Sequence, residues 1–270
     1  MIELKTVPFS FQNTHSSFWL IDAEGNKILR DPKQENENLG GFDWGKYAFG
    51  GYGFDELNYI YWENNDFYVH ESNGCDYERL GCIIEPGDLV VDIGGNIGIF
   101  ARRALERGAS KVFVFEPSSK IFSCLLDNTP RSQVECHRIE VAGFNGTTEL
   151  KSDVSTGIGG SSIVQEKNRD QKTSENVICM TLNRLFETGI LPEKVDFMKI
   201  DCEGAEKQIM DDLSDENLNK IKKLAMEFHT SLLGDEARIQ IIERLDKLGF
   251  NGFTLFHGSG AEATLNFWKI

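Results

Sequence analysis

Val90-Val-Asp-Ile-Gly-Gly-Asn-Ile-Gly-Ile-Phe100 is an apolar run that ends in a glycine turn and continues into helix-forming sequence. Short apolar runs bounded by glycine read as buried strands. Glycines let the backbone of such a turn approach a ligand, and a helix opening behind it points unpaired N–H groups outward. Away from this stretch the same rhythm repeats. Residues 89–93 predict a strand, 97–107 a helix, 111–115 a strand, 118–128 a helix and 134–141 a strand. A polar, Gly- and Ser-rich connection covers 143–176. The rhythm resumes with a strand at 177–180, a helix from Leu182, a strand at 195–200 and a helix after Gly204. Strand 223–228, helix 236–248 and terminal strands 252–256 and 264–268 follow, the last two close enough in sequence to pair as an antiparallel hairpin. Strands alternating with helices make parallel βαβ units, so the expected class is α/β, a doubly wound and mostly parallel sheet.

The composition frames this sheet. The chain has 270 residues, 40% hydrophobic and 26% charged, enough to bury a sizeable core. A net charge of −15 disfavours nucleic acid and anionic membranes as partners. No apolar run reaches the ~18 residues of a membrane span, and Met1-Ile2-Glu3-Leu4-Lys5 lacks the order of a signal peptide, so a cytoplasmic location is expected. The six cysteines (Cys75, Cys82, Cys124, Cys136, Cys179, Cys202) form no CxxC pair and read as reduced and structural. Charge and aromatic content are uneven along the chain. Residues 1–80 hold 14 of the 43 acids but only 6 of the 28 bases, together with all six tyrosines and three of the four tryptophans. A boundary near Gly81 follows, with a small β-rich region at 1–80 and the α/β domain at 81–270. The first region carries a turn at 23–26, a strand near 62–70 and a Gly-rich aromatic stretch at 39–54. It reads either as a β layer packed on the main domain or as a platform that stacks sugar rings or cations and offers carboxylates to hydroxyls.

The chemistry concentrates at predicted strand ends. Asp92 and Glu116 end successive strands, and at the second of these ends, that of Glu116, a carboxylate can accept both hydroxyls of a ribose. A dinucleotide fingerprint anchored on Gly98 requires glycine at position 93, which is Ile. Asp92-x-Gly94-x-x-x-Gly98 instead resembles motif I of class I S-adenosylmethionine-dependent methyltransferases, whose sheet is Rossmann-like. Val195-Asp-Phe-Met-Lys-Ile-Asp-Cys-Glu-Gly-Ala-Glu206 resembles the Lys-Ile-Asp-x-Glu-Gly-x-Glu signature of the FkbM family of methyltransferases. Met180-Thr-Leu-Asn183 and Met226-Glu-Phe-His229 resemble flanking segments of that family, with Cys202 and Asn183 standing where Val and Asp are expected. The resemblance covers roughly 88–230.

It implies methyl transfer from S-adenosylmethionine to oxygen, on a sugar, glycolipid or natural-product hydroxyl. Asp92, Gly94, Gly95, Asn96 and Gly98 are then expected to hold the methionine part of the cofactor, Glu116 the ribose, and backbone near Val141 and Ala142 the adenine. Asp201, His229 and Glu203 are the candidate catalytic residues, Asp201 and His229 as the base or as hydroxyl-positioning groups. Each has a plainer reading: Asp201 or Asn96 as a helix N-cap, Glu203 and Glu206 as first-turn acids, His229 as a core histidine. Asp201, Glu203 and His229 could also gather a divalent cation, but no metal is expected. The segment 155–163 reads as a surface connection or as a loop closing over the ligands. The expected partner is a hydroxylated acceptor, neutral or cationic, selected by residues 1–80. The rival reading is an inactive protein of the same fold that binds a carbohydrate or protein through residues 1–80; a dehydrogenase comes third.

Overall fold

The computed structural model describes residues 77–78, 81–152, 161–162, 173–257 and 262–269. All belong to the second of the two units into which the chain divides, Asp76–Ile270. The turn at 23–26, the strand near 62–70, the aromatic stretch at 39–54 and most of the 155–163 segment lie outside the described residues.

In chain order the elements are β1 (Leu89–Ile93), α1 (Ile99–Glu106), β2 (Lys111–Phe115), α2 (Ser119–Asn128), β3 (Val134–His137), β4 (Glu140–Val141), β5 (Gly146–Ser152), β6 (Ser161–Ser162) and β7 (Thr173–Met180). There follow α3 (Leu182–Glu187), β8 (Val195–Ile200), α4 (Glu206–Asp212), α5 (Asp215–Leu218), β9 (Ile221–Phe228), α6 (Thr230–Leu233), α7 (Asp235–Lys247), β10 (Asn251–His257) and β11 (Glu262–Trp268). The main sheet has the order β10-β11-β9-β8-β1-β2-β3. Strands β3, β2, β1, β8 and β9 run parallel. Strand β11 is antiparallel to both neighbours, so the predicted hairpin forms, with its second strand inserted between β9 and β10.

Helices on the sheet faces explain why the strand sequences are continuously apolar rather than alternating. Val91, Ile93, Phe113, Phe115, Met198, Ile200, Leu224 and Met226 are buried in one core. Helix α7 adds Ala237, Ile241 and Leu245, four residues apart and therefore on one stripe. From β1 the chain winds outward to β2 and β3, and the later strands β8 and β9 fill the opposite side. The order reverses between β1 and β8, and ligands of open α/β sheets bind beyond the strand ends at such a point. Asp92, Glu116, Asp201 and His229 all lie at or just past those ends.

Two expectations change. The strand predicted at 134–141 breaks at Arg138 and Ile139: β3 closes the main sheet, whereas β4 pairs in parallel with β7 in a second sheet of order β4-β7-β5-β6. The polar connection predicted at 143–176 contains most of that sheet, with β5 and β7 paired antiparallel from Gly146↔Cys179 to Ser152↔Thr173. Among the described residues its core is Ala142, Leu150, Val177 and Cys179, so the sequence there offers too few apolar positions for a strand pattern.

Candidate functional site

Strand β1 delivers Asp92 to the switch point fully buried, and neither carboxylate oxygen has a hydrogen-bond partner among the described residues. The turn behind it is held by the Gly94 and Gly95 amides, both donating to the Phe115 carbonyl at 3.0 Å. Gly94 has φ +71°, and a Cβ there would stand 1.7 Å from the Asp201 carbonyl oxygen. Gly98 has φ +95°, and its Cβ would meet Thr129 of the α2 end at 2.7 Å. The glycines are therefore demanded by the protein's own neighbours, and that close packing shapes the turn. Asn96 is not the cap of α1. Gly98 holds that position without a side-chain bond, and the Asn96 Oδ1 is buried without a hydrogen-bond partner among the described residues.

Lys199, near the end of β8, had no assigned role in the sequence reading and organises the centre of the site. Its ammonium is 3.3 Å from Asp92 Oδ1, an ion pair without hydrogen-bond geometry, and 3.2 Å from Asp201 Oδ2. It also donates to the Gly94 carbonyl at 3.0 Å. The rings of Tyr77 and Phe100 lie 5.2 and 5.9 Å from it. Burial works to lower the lysine pKa, but the charges of Asp201 and Asp92 outweigh it and the value rises. For Asp92 the balance is reversed: burial raises the carboxyl above its usual range despite Lys199. A lysine inside the apolar run Val195–Ile200 was the available signal, because a buried ammonium requires carboxylate partners.

Glu116 accepts hydrogen bonds from the Ser118 amide at 2.9 Å and the Asn96 amide at 3.1 Å, tying the β2 end to the β1 turn. Burial pushes its carboxyl up to about 7 against those two bonds. Glu140, also buried, is raised to about 8 by burial and by the charges of Glu116 and Glu206. The adenine expectation rests on backbone near Val141 and Ala142, and the backbone donor of Ala142 is already used. Its amide donates to the Met180 carbonyl at 3.0 Å because β4 has joined the second sheet, so that N–H is not free for a ligand. Val141 is buried beside it.

The residues after β8 form the other half. The Asp201 amide continues the β8–β1 pairing by donating to Ile93 at 3.1 Å. Asp201 does not cap α4, whose N-cap is Ala205 without a side-chain bond. Glu206 does the corresponding work: its Oε1 accepts from the Gly204 amide at 3.0 Å and the Cys202 amide at 3.3 Å. The same oxygen lies 3.2 Å from His229 Nδ1, while His229 Nε2 lies 3.7 Å from Glu203 Oε2. Glu203 adopts a left-handed φ of 52° in this turn. Burial would lower the His229 pKa, but the Glu206 hydrogen bond and the charges of Glu206, Glu203 and Asp201 push it up to about 9. A value near 9 favours the imidazolium at neutral pH and so, of the two expected roles, the positioning one. Asn183 is committed to structure. Its amide donates to the Asp212 carbonyl at 2.6 Å and accepts from the Ser214 amide at 3.1 Å, a pairing that needs both a donor and an acceptor.

Tyr77 and Glu227 complete the cluster, neither of them expected. The Tyr77 hydroxyl is 3.0 Å from Asp201 Oδ2 and also contacts Glu227 Oε2. Glu78 anchors this segment to α1 through Arg103 and Arg107, and the Tyr77 ring meets Phe100 edge-on at 5.8 Å. Among the described residues no three His, Cys, Asp or Glu side chains converge as a metal-holding group. Nor, among them, is any helix long and apolar enough to cross a membrane.

Residues 92–251 match the methyltransferase FkbM domain, more than half of the chain. The chain belongs to the FkbM methyltransferase family. The matched stretch opens on Asp92 and contains every site residue named above except Tyr77 and its anchor Glu78. Among curated relatives, the FkbM-family chain is 24% identical over 181 residues to 31-O-demethyl-FK506 methyltransferase FkbM of Streptomyces tacrolimicus, covering 57% of this chain and 70% of that one. It is 22% identical over 218 residues to the AMB antimetabolite synthetase AmbE of Pseudomonas aeruginosa, covering 66% of this chain. This chain spans only 10% of the synthetase's length. Among solved structures, fibrillarin of Aeropyrum pernix, with natively bound S-adenosyl-L-methionine, aligns at a TM-score of 0.40 and 12% identity over 68% of this chain and 67% of that one.

Proposed function

We propose that this chain transfers a methyl group from S-adenosylmethionine to a hydroxyl of a neutral or cationic, hydroxyl-rich small molecule such as a sugar, a glycolipid or a natural product. The observation that carries the cofactor is Asp92, a fully buried carboxylate that pairs with Lys199 but has no hydrogen bond to either oxygen among the described residues, set beside a glycine turn at the switch point. Buried acceptors of this kind suit a ligand that brings donors and positive charge. The methionine part of the cofactor carries an ammonium and a sulfonium, so the donor set fits. Asp92 and the Asn96 Oδ1, with the turn at Gly94, Gly95 and Gly98, hold that part. Glu116 takes the ribose hydroxyls with the lone pairs its two amide bonds leave over, and the adenine lies near Val141. S-adenosylmethionine supplies the electrophilic methyl group.

On the acceptor side Asp201 accepts the hydrogen bond of the acceptor hydroxyl and aligns its oxygen for in-line attack. His229, cationic and clamped by Glu206 with Glu203 alongside, orients polar groups of the acceptor. A relative named for methylating 31-O-demethyl-FK506 supports oxygen as the target. The acidic, aromatic residues 1–80 form the acceptor-selecting region in this reading, which their composition supports. A cytoplasmic setting suits the free cysteines Cys82, Cys124, Cys136, Cys179 and Cys202.

The test is to incubate the full chain with isotopically labelled cofactor and a cell extract, and to search by mass spectrometry for metabolites that gain one methylene. Label on the oxygen of a hydroxyl-rich metabolite is the expected outcome. Label confined to nitrogen or carbon, or no labelled product, contradicts the proposal.

A further inference from the structure

Tyr77, Asp201 and Glu227 meet at one edge of the sheet from three distant stretches of chain. The Tyr77 hydroxyl touches a carboxylate oxygen of each partner. A phenol brings one proton, and two ionised carboxylates around it leave one contact without a hydrogen. Both contacts close only when one carboxyl carries its own proton and donates it to the Tyr77 oxygen. Lys199 decides which one. Its ammonium pairs with Asp201 Oδ2 at 3.2 Å, so the negative charge belongs on Asp201 and the proton on Glu227.

Among the described residues the groups acting on Glu227 are Tyr77 from the segment before β1, Lys199 from β8, Asp201 just past its end, and His229 just past the end of Glu227's own strand. Its register partner on β11 is the uncharged Thr264. Burial and the Asp201 charge raise the Glu227 carboxyl to about 7, against the opposing effects of Tyr77, His229 and Lys199.

We infer that Glu227, reached through Tyr77 and Asp201, is the store for the proton that leaves the acceptor hydroxyl. The inference rests on the hydroxyl-acceptor reading above. The cycle begins with Glu227 ionised. The acceptor O–H bond breaks, its electron pair stays on the oxygen that receives the methyl group, and Asp201 takes the proton. Tyr77 passes its own proton to Glu227 and is reprotonated by Asp201. Asp201 and Tyr77 end as they began, one proton richer only at Glu227, which returns it to solvent before the next turnover. Glu227 is in these terms a positioning and storage residue, and Asp201 the group that touches the acceptor. Because the working form has Glu227 ionised, transfer rises with pH through neutrality.

The experiment uses the full chain, labelled S-adenosylmethionine at saturation and a fixed amount of cell extract. Label transfer is followed as a function of pH for the wild type, Glu227→Gln and Tyr77→Phe. S-adenosylhomocysteine affinity and the infrared carboxylic C=O stretch are measured alongside. Both variants are expected to keep wild-type affinity and to slow transfer by about 10²-fold, the usual contribution of a proton acceptor. Glu227→Gln is expected to lose the acid limb of the profile and the carboxylic band that titrates near neutrality. A Glu227→Gln protein that retains the wild-type rate and acid limb, or the wild-type infrared band, overturns the inference. A wild type that binds S-adenosylhomocysteine but transfers no label sinks the hydroxyl-acceptor reading itself, and the proton-store role with it.

Discussion

A buried ammonium near the end of a parallel strand is stable only where carboxylates surround it, and Lys199 has two, Asp92 on β1 and Asp201 just past the end of its own strand. Removing one member of a buried charged set strands the others, which costs about 3–5 kcal/mol. Lys199→Met is therefore expected to destabilise the protein by that order in denaturant unfolding and to weaken cofactor binding, since Asp92 would lose its counter-charge. A variant of wild-type stability would show that the carboxylates do not depend on Lys199. At this scale the sequence was legible wherever chemistry sits beside a turn: Asp92, Glu116 and Asp201 lie where their strand ends placed them. It was silent about Tyr77 and Glu227. They meet across 150 positions of sequence, and no local spacing encodes such a contact. The pairing of the Ala142 amide with Met180 was not legible for the same reason, because it joins two strands whose partnership no local spacing encodes.

The elements differ in how strongly their sequences declare them. Strands β1, β2 and β8 are buried on both faces and read as apolar runs, whereas β5 and β7 carry Thr, Ser, Glu and Asn around a four-residue core. The position of β11 between β9 and β10 was not readable either, because strand order follows from packing of the whole sheet. One element junction makes a test. Glu206 opens α4 and grips His229, which follows β9, so the pair links helix to strand. The folded-state pKa of His229, about 9, lies above its ordinary 6.5. The stability this contributes is fully present below about pH 6.5 and is lost as pH rises through about 9. Glu206→Gln removes the largest cause of the elevation, each unit of which corresponds to about 1.4 kcal/mol. The stability gap between wild type and variant is expected to be widest near pH 6 and to narrow by pH 9.5, as read by urea unfolding. A gap independent of pH would contradict the clamp.

At the scale of the molecule, a parallel sheet with its order reversing between β1 and β8 gathers two acid-rich halves at one edge, with Lys199 between them. The first half, Asp92 with Glu116 and Asn96, suits a cationic, ribose-bearing cofactor. The second, Asp201 with Tyr77, Glu227 and the His229 clamp, suits a hydroxyl that must be aligned and deprotonated. The net charge of −15 is in line with the proposed neutral or cationic acceptor. The central claim is that the first half binds the cofactor independently of the second, and calorimetric titration with S-adenosylhomocysteine tests it most directly. The wild type is expected to bind, Asp92→Ala to lose most of its affinity, and His229→Ala to retain it. Folded wild-type protein that gives no binding heat, or equal loss of affinity in both variants, would contradict the account.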